Sequence, residues 1–154
     1  MNVVMIGAGY VGLVSGACFA EFGAQVTCVD KTAERIERLR GGEIPIFEPG
    51  LDALVHRISA AGRLHFTTDL AEAVANADLV FIAVGTPTRR GAGHADLKDV
   101  YAAAEEIAAK LTAYTVIGDK STVPVGTARE VARVIRKANP DADFEVASNP
   151  EFLR

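Results

Sequence analysis

Four apolar runs stand out along the chain, at residues 3–6, 25–29, 79–84 and 115–118, with weaker ones near 64–66 and 144–147. Between them the apolar positions change period. Val11, Val14, Cys18 and Phe22 fall at helical spacing, as do Leu51, Leu54, Val55 and Ile58. The same holds for Leu97, Val100, Ala104, Ile107 and Leu111, and for Ala128, Val131, Ile135 and Ala138. Short continuous apolar runs mark strands covered on both faces, and strands alternating with amphipathic helices make a parallel sheet. Helix starts are signalled by Pro49 in a first turn, by Asp69 before Leu70, and by a Ser121-Thr122 cap region ahead of Pro124. Gly23, Gly41-Gly42 and Gly62 signal helix ends. Right-handed crossovers between six such strands predict a doubly wound α/β sheet in the order 3-2-1-4-5-6, with helices on both faces.

The turn after the first strand sharpens this. Gly7-Ala8-Gly9-Tyr10-Val11-Gly12 lies between an apolar run and a helical pattern, and Asp30 closes the next run. A lone GxGxxG is weak, but strand, helix and acid together form the dinucleotide fingerprint of a Rossmann-type fold. Gly7 permits the tight turn, Gly9 lets backbone approach a pyrophosphate, and Gly12 lets the helix pack close to its strand. The helix N-terminus offers N–H groups and partial positive charge to phosphates. Asp30 can accept from an adenine-ribose 2′-hydroxyl and repels a 2′-phosphate, which favours NAD over NADP. Lys31 and Arg35 pull the other way, since a cation beside the ribose accommodates NADP.

In such a sheet, ligands bind beyond the carboxyl ends of the strands. The residues there are the three glycines, Asp30, Gly85-Thr86-Pro87, Lys120-Ser121-Thr122 and Ser148-Asn149-Pro150-Glu151.

Composition narrows the partners. At 154 residues, 49% hydrophobic, the chain is expected to form one well-cored domain over 1–154. A formal charge of −4 argues against nucleic acid or an anionic membrane surface. No apolar stretch nears the roughly 20 residues of a membrane span, and the N-terminus opens on a core strand, so the cytoplasm is expected. Cys18 and Cys28 read as reduced core residues. His56, His65 and His94 stand isolated, without metal-ligand spacing, so no metal site is expected. Arg89, Arg90, Gly91, Gly93 and His94 read as a solvated basic loop.

GAGYVGL at 7–13, IPIFEPGL at 44–51, VGTP at 84–87, KSTVPVGT at 120–127 and SNPEFLR at 148–154 together resemble the nucleotide-sugar 6-dehydrogenases, above all the branch acting on UDP-glucose. The resemblance covers the whole chain, but only the N-terminal part of such an enzyme. It implies two NAD-dependent oxidations of a UDP-sugar 6-hydroxyl to a carboxylate, through a cysteine thioester. It places that cysteine, and the family's lysine and asparagine, in later central and C-terminal segments. The chain is thus expected to bind NAD without turnover, as part of a longer enzyme that forms homo-oligomers.

Carried across by position, the resemblance assigns Gly7, Gly9, Tyr10, Val11, Gly12, Asp30, Arg35, Gly85, Thr86 and Thr122 to the cofactor. Thr86 and Thr122 would face the nicotinamide ribose. Thr122 would also help hold the catalytic water, Glu151 would do acid-base work, and Glu151, Phe152, Leu153 and Arg154 would begin the UDP-sugar site. On residue type alone, Thr122 reads equally as a helix N-cap and Glu151 as a solvated acid. Two other readings stay open: the NAD domain of a GDP-mannose 6-dehydrogenase, and a stand-alone NAD-binding regulatory module.

Overall fold

A computed structural model of the chain describes residues 1–87 and 95–150. Arg89, Arg90, Gly91, Gly93 and His94, and likewise Glu151, Phe152, Leu153 and Arg154, lie outside the described residues.

The chain runs β1 (Asn2–Ile6), α1 (Tyr10–Glu21), β2 (Gln25–Val29), α2 (Ala33–Arg40), α3 (Leu51–Ala60), β3 (Leu64–Thr67), α4 (Leu70–Val74), β4 (Leu79–Ile82), α5 (Lys98–Ala108), β5 (Thr115–Asp119), α6 (Thr127–Ala138) and β6 (Phe144–Ser148). The six strands form one sheet in the order β3-β2-β1-β4-β5-β6. Every pairing is parallel, with Val3 opposite both Val26 of β2 and Leu79 of β4. This is the doubly wound topology that the alternating apolar runs predict, and it sends every strand's carboxyl end to one edge.

Alternation along β1 feeds two cores. Val3 and Met5 pack with α1, α2 and α3 on one face, while Val4 and Ile6 pack with α4, α5 and α6 on the other. The apolar stripe of α6 sets Val131 and Ile135 fully inside the second core. Burying one such side chain contributes about 1.5–3 kcal/mol, more than the helix could gain from propensity alone. Asp69 caps α4 by accepting from the Glu72 N–H at 3.0 Å. Gly23, Gly42 and Gly62 take positive φ immediately beyond α1, α2 and α3, as their places in the sequence suggest.

Three local expectations are corrected. The buried stripe of α1 is Gly12, Leu13, Gly16, Ala17 and Ala20, whereas Cys18 is exposed and Phe22 is 88% exposed. Small residues face the sheet here because the helix lies close upon it: a Cβ at Gly16 would stand 3.0 Å from Cys28 Sγ. Only Cys28 of the two cysteines is therefore a core residue, and burial pushes its thiol up to about 12.

Second, α6 begins at Thr127 behind Gly126, so Thr122 is not its N-cap. Residues 124–127 instead form a turn in which the Thr127 hydroxyl donates to the Pro124 carbonyl at 2.8 Å. Third, Pro49 precedes α3 rather than lying in its first turn, because Gly50 at φ 83° serves as the N-cap. The sequence pattern also passes over α2, which has only Ile36 and Leu39 as buried anchors in a charged segment. Among the described residues, no helix is long and apolar enough to cross a membrane.

Candidate functional site

The turn from β1 into α1 is built on backbone geometry. Gly7 holds φ at +103°, and its N–H donates to the Val29 carbonyl at 2.8 Å, pinning the turn against the end of β2. The Ala8 N–H then donates to Asp30 Oδ2 at 3.0 Å. Asp30 is 8% exposed, and it accepts from the Thr32 N–H at 2.9 Å and from Arg35 at 2.7 Å. One carboxylate thus ties together the turns that follow β1 and β2. Burial works to raise its pKa, but the Thr32 and Ala8 N–H groups and the Arg35 guanidinium outweigh it and hold the carboxyl below its ordinary value.

The cations beside the fingerprint find local partners. Arg35 is spent on Asp30, and the Lys31 ammonium lies 4.0 Å from Asp99 at the start of α5. The latter contact is well exposed and worth little in stability.

In front of this turn lies a cavity of about 390 Å³. Gly7, Gly9, Asp30, Arg35 and Gly85 are in its wall, which α5 completes with Asp99, Ala102, Ala103 and Glu106. These α5 residues recur at helical spacing beside the apolar stripe, a pattern that the sequence carries without marking it as a ligand wall. No described side chain caps the N-terminus of α1. A Cβ built on Gly9 meets nothing within 4 Å, so backbone there is open to a ligand. A diphosphate fits that end of the helix, and a ribose diol fits the carboxylate beside it. The volume is within the usual range for small-molecule sites.

Tyr10 and Val11 open α1 at this edge. The Tyr10 hydroxyl donates to Glu48 Oε2 at 2.5 Å, which brings the IPIFEPGL segment to the same place. Gly12 sits one turn on, against the Gly7 carbonyl. Thr86 and Thr122 stand apart from this cavity's wall, on the loops after β4 and β5, and the Thr86 hydroxyl donates to the Thr122 carbonyl at 3.1 Å. The predicted residues thus fall into two groups along one edge: one around Asp30, and one on these two loops.

Two polar residues lie beneath the second group: Ser121, which the sequence places at this edge, and Asp119, which it does not single out. Ser121 is 6% exposed, and its hydroxyl lies 2.9 Å from the Val84 carbonyl and 3.3 Å from that of Ile82. Asp119 is 1% exposed. Its Oδ1 accepts from the Ser121 N–H at 3.2 Å, and its Oδ2 is buried without a partner among the described residues. Burial pushes the Asp119 carboxyl up to about 6, and the Ser121 N–H only partly offsets that. Among the described residues, Tyr101 of α5 lies near enough to feel its charge and carries none of its own to offset it.

This has a measurable sign. Unfolded, Asp119 loses its proton near the ordinary 3.8, while folded it keeps the proton to about 6. The native state is therefore penalised progressively between these values, and the penalty is constant above them. Relative to Asp119→Asn, the wild-type chain is expected to lose about 2 kcal/mol of stability between pH 4 and pH 7, and almost no more beyond. Urea unfolding of both proteins across that range checks it, and a difference that does not change with pH would refute it.

The family model described as UDP-glucose/GDP-mannose dehydrogenase family, NAD binding domain, matches residues 1–154. A UDP-glucose 6-dehydrogenase of Rhizobium meliloti is 66% identical over the whole chain, which spans 35% of that relative. The UDP-glucose 6-dehydrogenase TuaD of Bacillus subtilis is 50% identical over 99% of the chain and is matched over 33% of its own length. Among solved structures, a GDP-mannose dehydrogenase from Pseudomonas aeruginosa superposes with a TM-score of 0.93 at 36% identity, covering 100% of this chain and 37% of that one. A UDP-glucose dehydrogenase from Pyrobaculum islandicum gives 0.92 at 43%, covering 99% and 36%. The chain thus spans about a third of the length of these relatives. With sheet order, glycine turn, strand-end acid and family model in agreement from end to end, the chain belongs to the UDP-glucose/GDP-mannose dehydrogenase family and constitutes its NAD-binding domain.

Proposed function

We propose that the chain is the cofactor-binding part of an enzyme that oxidises UDP-glucose to UDP-glucuronate, and that by itself it binds NAD without turnover. The observation that carries this is Asp30, held ionised beside an open helix N-terminus in the cavity wall. A carboxylate there accepts from the adenine-ribose hydroxyls. Arg35 is neutralised by Asp30, which leaves the exposed Lys31 as the cation on this turn that a 2′-phosphate would have to draw on. Asp99 and Glu106 add negative charge to the same wall and reinforce NAD over NADP.

When bound, NAD supplies the hydride acceptor for both oxidations. The chain's own residues bind and orient: Gly7, Gly9, Tyr10, Val11 and Gly12 receive the diphosphate, Gly85 lines the cavity beside them, and Thr86 and Thr122 receive the nicotinamide ribose. Thr122, exposed on its loop, positions the water that hydrolyses the thioester. Glu151 accepts that water's proton, and Phe152, Leu153 and Arg154 join it in the UDP-sugar site. The 66% identity to a UDP-glucose 6-dehydrogenase supports this substrate. The fold's superposition on a GDP-mannose dehydrogenase supports a second reading, in which the sugar is GDP-mannose.

Calorimetric titration with NAD and NADP tests the cofactor site. The wild-type chain is expected to prefer NAD by at least about tenfold, and Asp30→Ala to lose that preference, since a hydrogen bond to a charged group is worth about 1.5–3 kcal/mol. Equal affinities in the wild type would sink the assignment of Asp30. Incubation with UDP-glucose and NAD should yield no NADH.

A further inference from the structure

We propose that Asp119 and Ser121 are positioning residues that lock the loops after β4 and β5 into one unit serving the nicotinamide half of the dinucleotide. The proposal rests on the NAD reading above and deepens it.

The geometry is specific. Parallel strands β4 and β5 pair only as far as Ile82 and Asp119, after which the loops would be free to part. They do not part. The Lys120 N–H donates to the Ile82 carbonyl at 2.9 Å, continuing the ladder by one step. The Ser121 hydroxyl then turns inward to the Val84 and Ile82 carbonyls, rather than outward to the edge where ligand binds. Asp119 fixes the backbone of Ser121 through its N–H, and the Thr86 hydroxyl closes the far end on the Thr122 carbonyl.

Two of these groups are buried polar side chains at a site where apolar residues would pack more cheaply. Asp119 even leaves one oxygen without a partner among the described residues. Retaining them is understandable if the position of the loops, rather than stability, is what they secure. The wall of the adenosine cavity takes Ala83, Val84 and Gly85 from the segment after β4, but nothing from β5 or the loop that follows it. Loss of the clasp should therefore be felt chiefly by the nicotinamide half of the ligand, which both loops serve.

The experiment compares NAD with ADP, which carries the adenosine and both phosphates but no nicotinamide riboside, by calorimetry on the 154-residue chain. Ser121→Ala is expected to weaken NAD by about 5- to 10-fold, the loss of one or two neutral hydrogen bonds, and ADP by less than about twofold. Asp119→Ala should show the same split. Asp119→Asn keeps an acceptor for the Ser121 N–H and should restore the wild-type ratio of NAD to ADP affinity. Equal weakening of both ligands, or no weakening of either, would overturn the clasp, and so would failure of Asp119→Asn to restore the ratio. If Ser121→Ala does not fold, the two Asp119 variants still decide. Failure of wild-type chain to bind ADP and NAD alike would instead overturn the NAD reading.

Discussion

Gly9→Ala is expected to leave the folded chain intact while removing its affinity for NAD. Gly9 is extended at φ −78° and ψ −166°, a conformation open to any residue. A Cβ there meets no protein atom within 4 Å. Alanine is a slightly poorer N-cap than glycine, but it also restricts the unfolded chain, and the two effects offset to within about 0.5 kcal/mol. Thermal melts of the two apo proteins should therefore superimpose. The same methyl projects into the cavity wall at the helix N-terminus, where a diphosphate must touch backbone. The binding loss should be at least about 30-fold, some 2 kcal/mol. Tight NAD binding by this variant would mean that the diphosphate lies elsewhere.

Gly12→Ala should do the reverse: damage the fold itself. Its Cβ would stand 1.8 Å from the Gly7 carbonyl oxygen, far inside van der Waals contact, with Ala83 Cβ at 3.6 Å behind. The obstacle is backbone, so no rotamer change relieves it. Either α1 moves off the sheet, or the Gly7 turn deforms and with it the Gly7 N–H bond to Val29 and the Ala8 bond to Asp30. A destabilisation of about 3–5 kcal/mol is expected, at the upper end for single substitutions. For a chain of this size that lowers Tm by roughly 10 °C or more. Two glycines three residues apart are thus separable by calorimetry: one variant binds nothing but melts normally, while the other melts early. An unchanged melting temperature for Gly12→Ala would show that the helix has room that the packing denies.

The order of strands was readable because each central strand is covered on both faces and therefore spelled as a continuous apolar run. The face of α1 was not. A helix that lies close to a sheet presents glycine and alanine to it, and these carry almost no hydropathy signal against Val11 and Val14, which pack only at the core's margin, and Phe22, which is exposed. The periodicity of the larger residues is thus rotated off the buried stripe, and it strays outward at Cys18 and Phe22. The start of α6 was misplaced for a related reason. Ser121-Thr122 before a proline has the composition of a cap, but the Ser121 hydroxyl is bound to the Val84 and Ile82 carbonyls, 37 and 39 residues away, which no local pattern encodes.

At the site, Asp30 was legible from its position at the end of a strand. Its additional partners were not, since Ala8 contributes only a backbone N–H and Arg35 could equally have faced a phosphate. Asp119 sits at an equivalent strand end and gave no sign, because an acid there reads as solvated unless its burial is known. The five assignments at 122 and 151–154 that touch the sugar chemistry rest on the family's motifs, and four of them lie outside the described residues.

The misread face of α1 has a practical side. Cys18 is on the outer surface of the helix and Cys28 is sealed in the core with its thiol pushed up to about 12, so the two sulfurs differ in both access and nucleophilicity. The chain has no tryptophan. A thiol-reactive fluorophore attached to the native sequence goes to Cys18, roughly two helical turns from the ligand end of α1, giving an optical reporter without engineering a single residue.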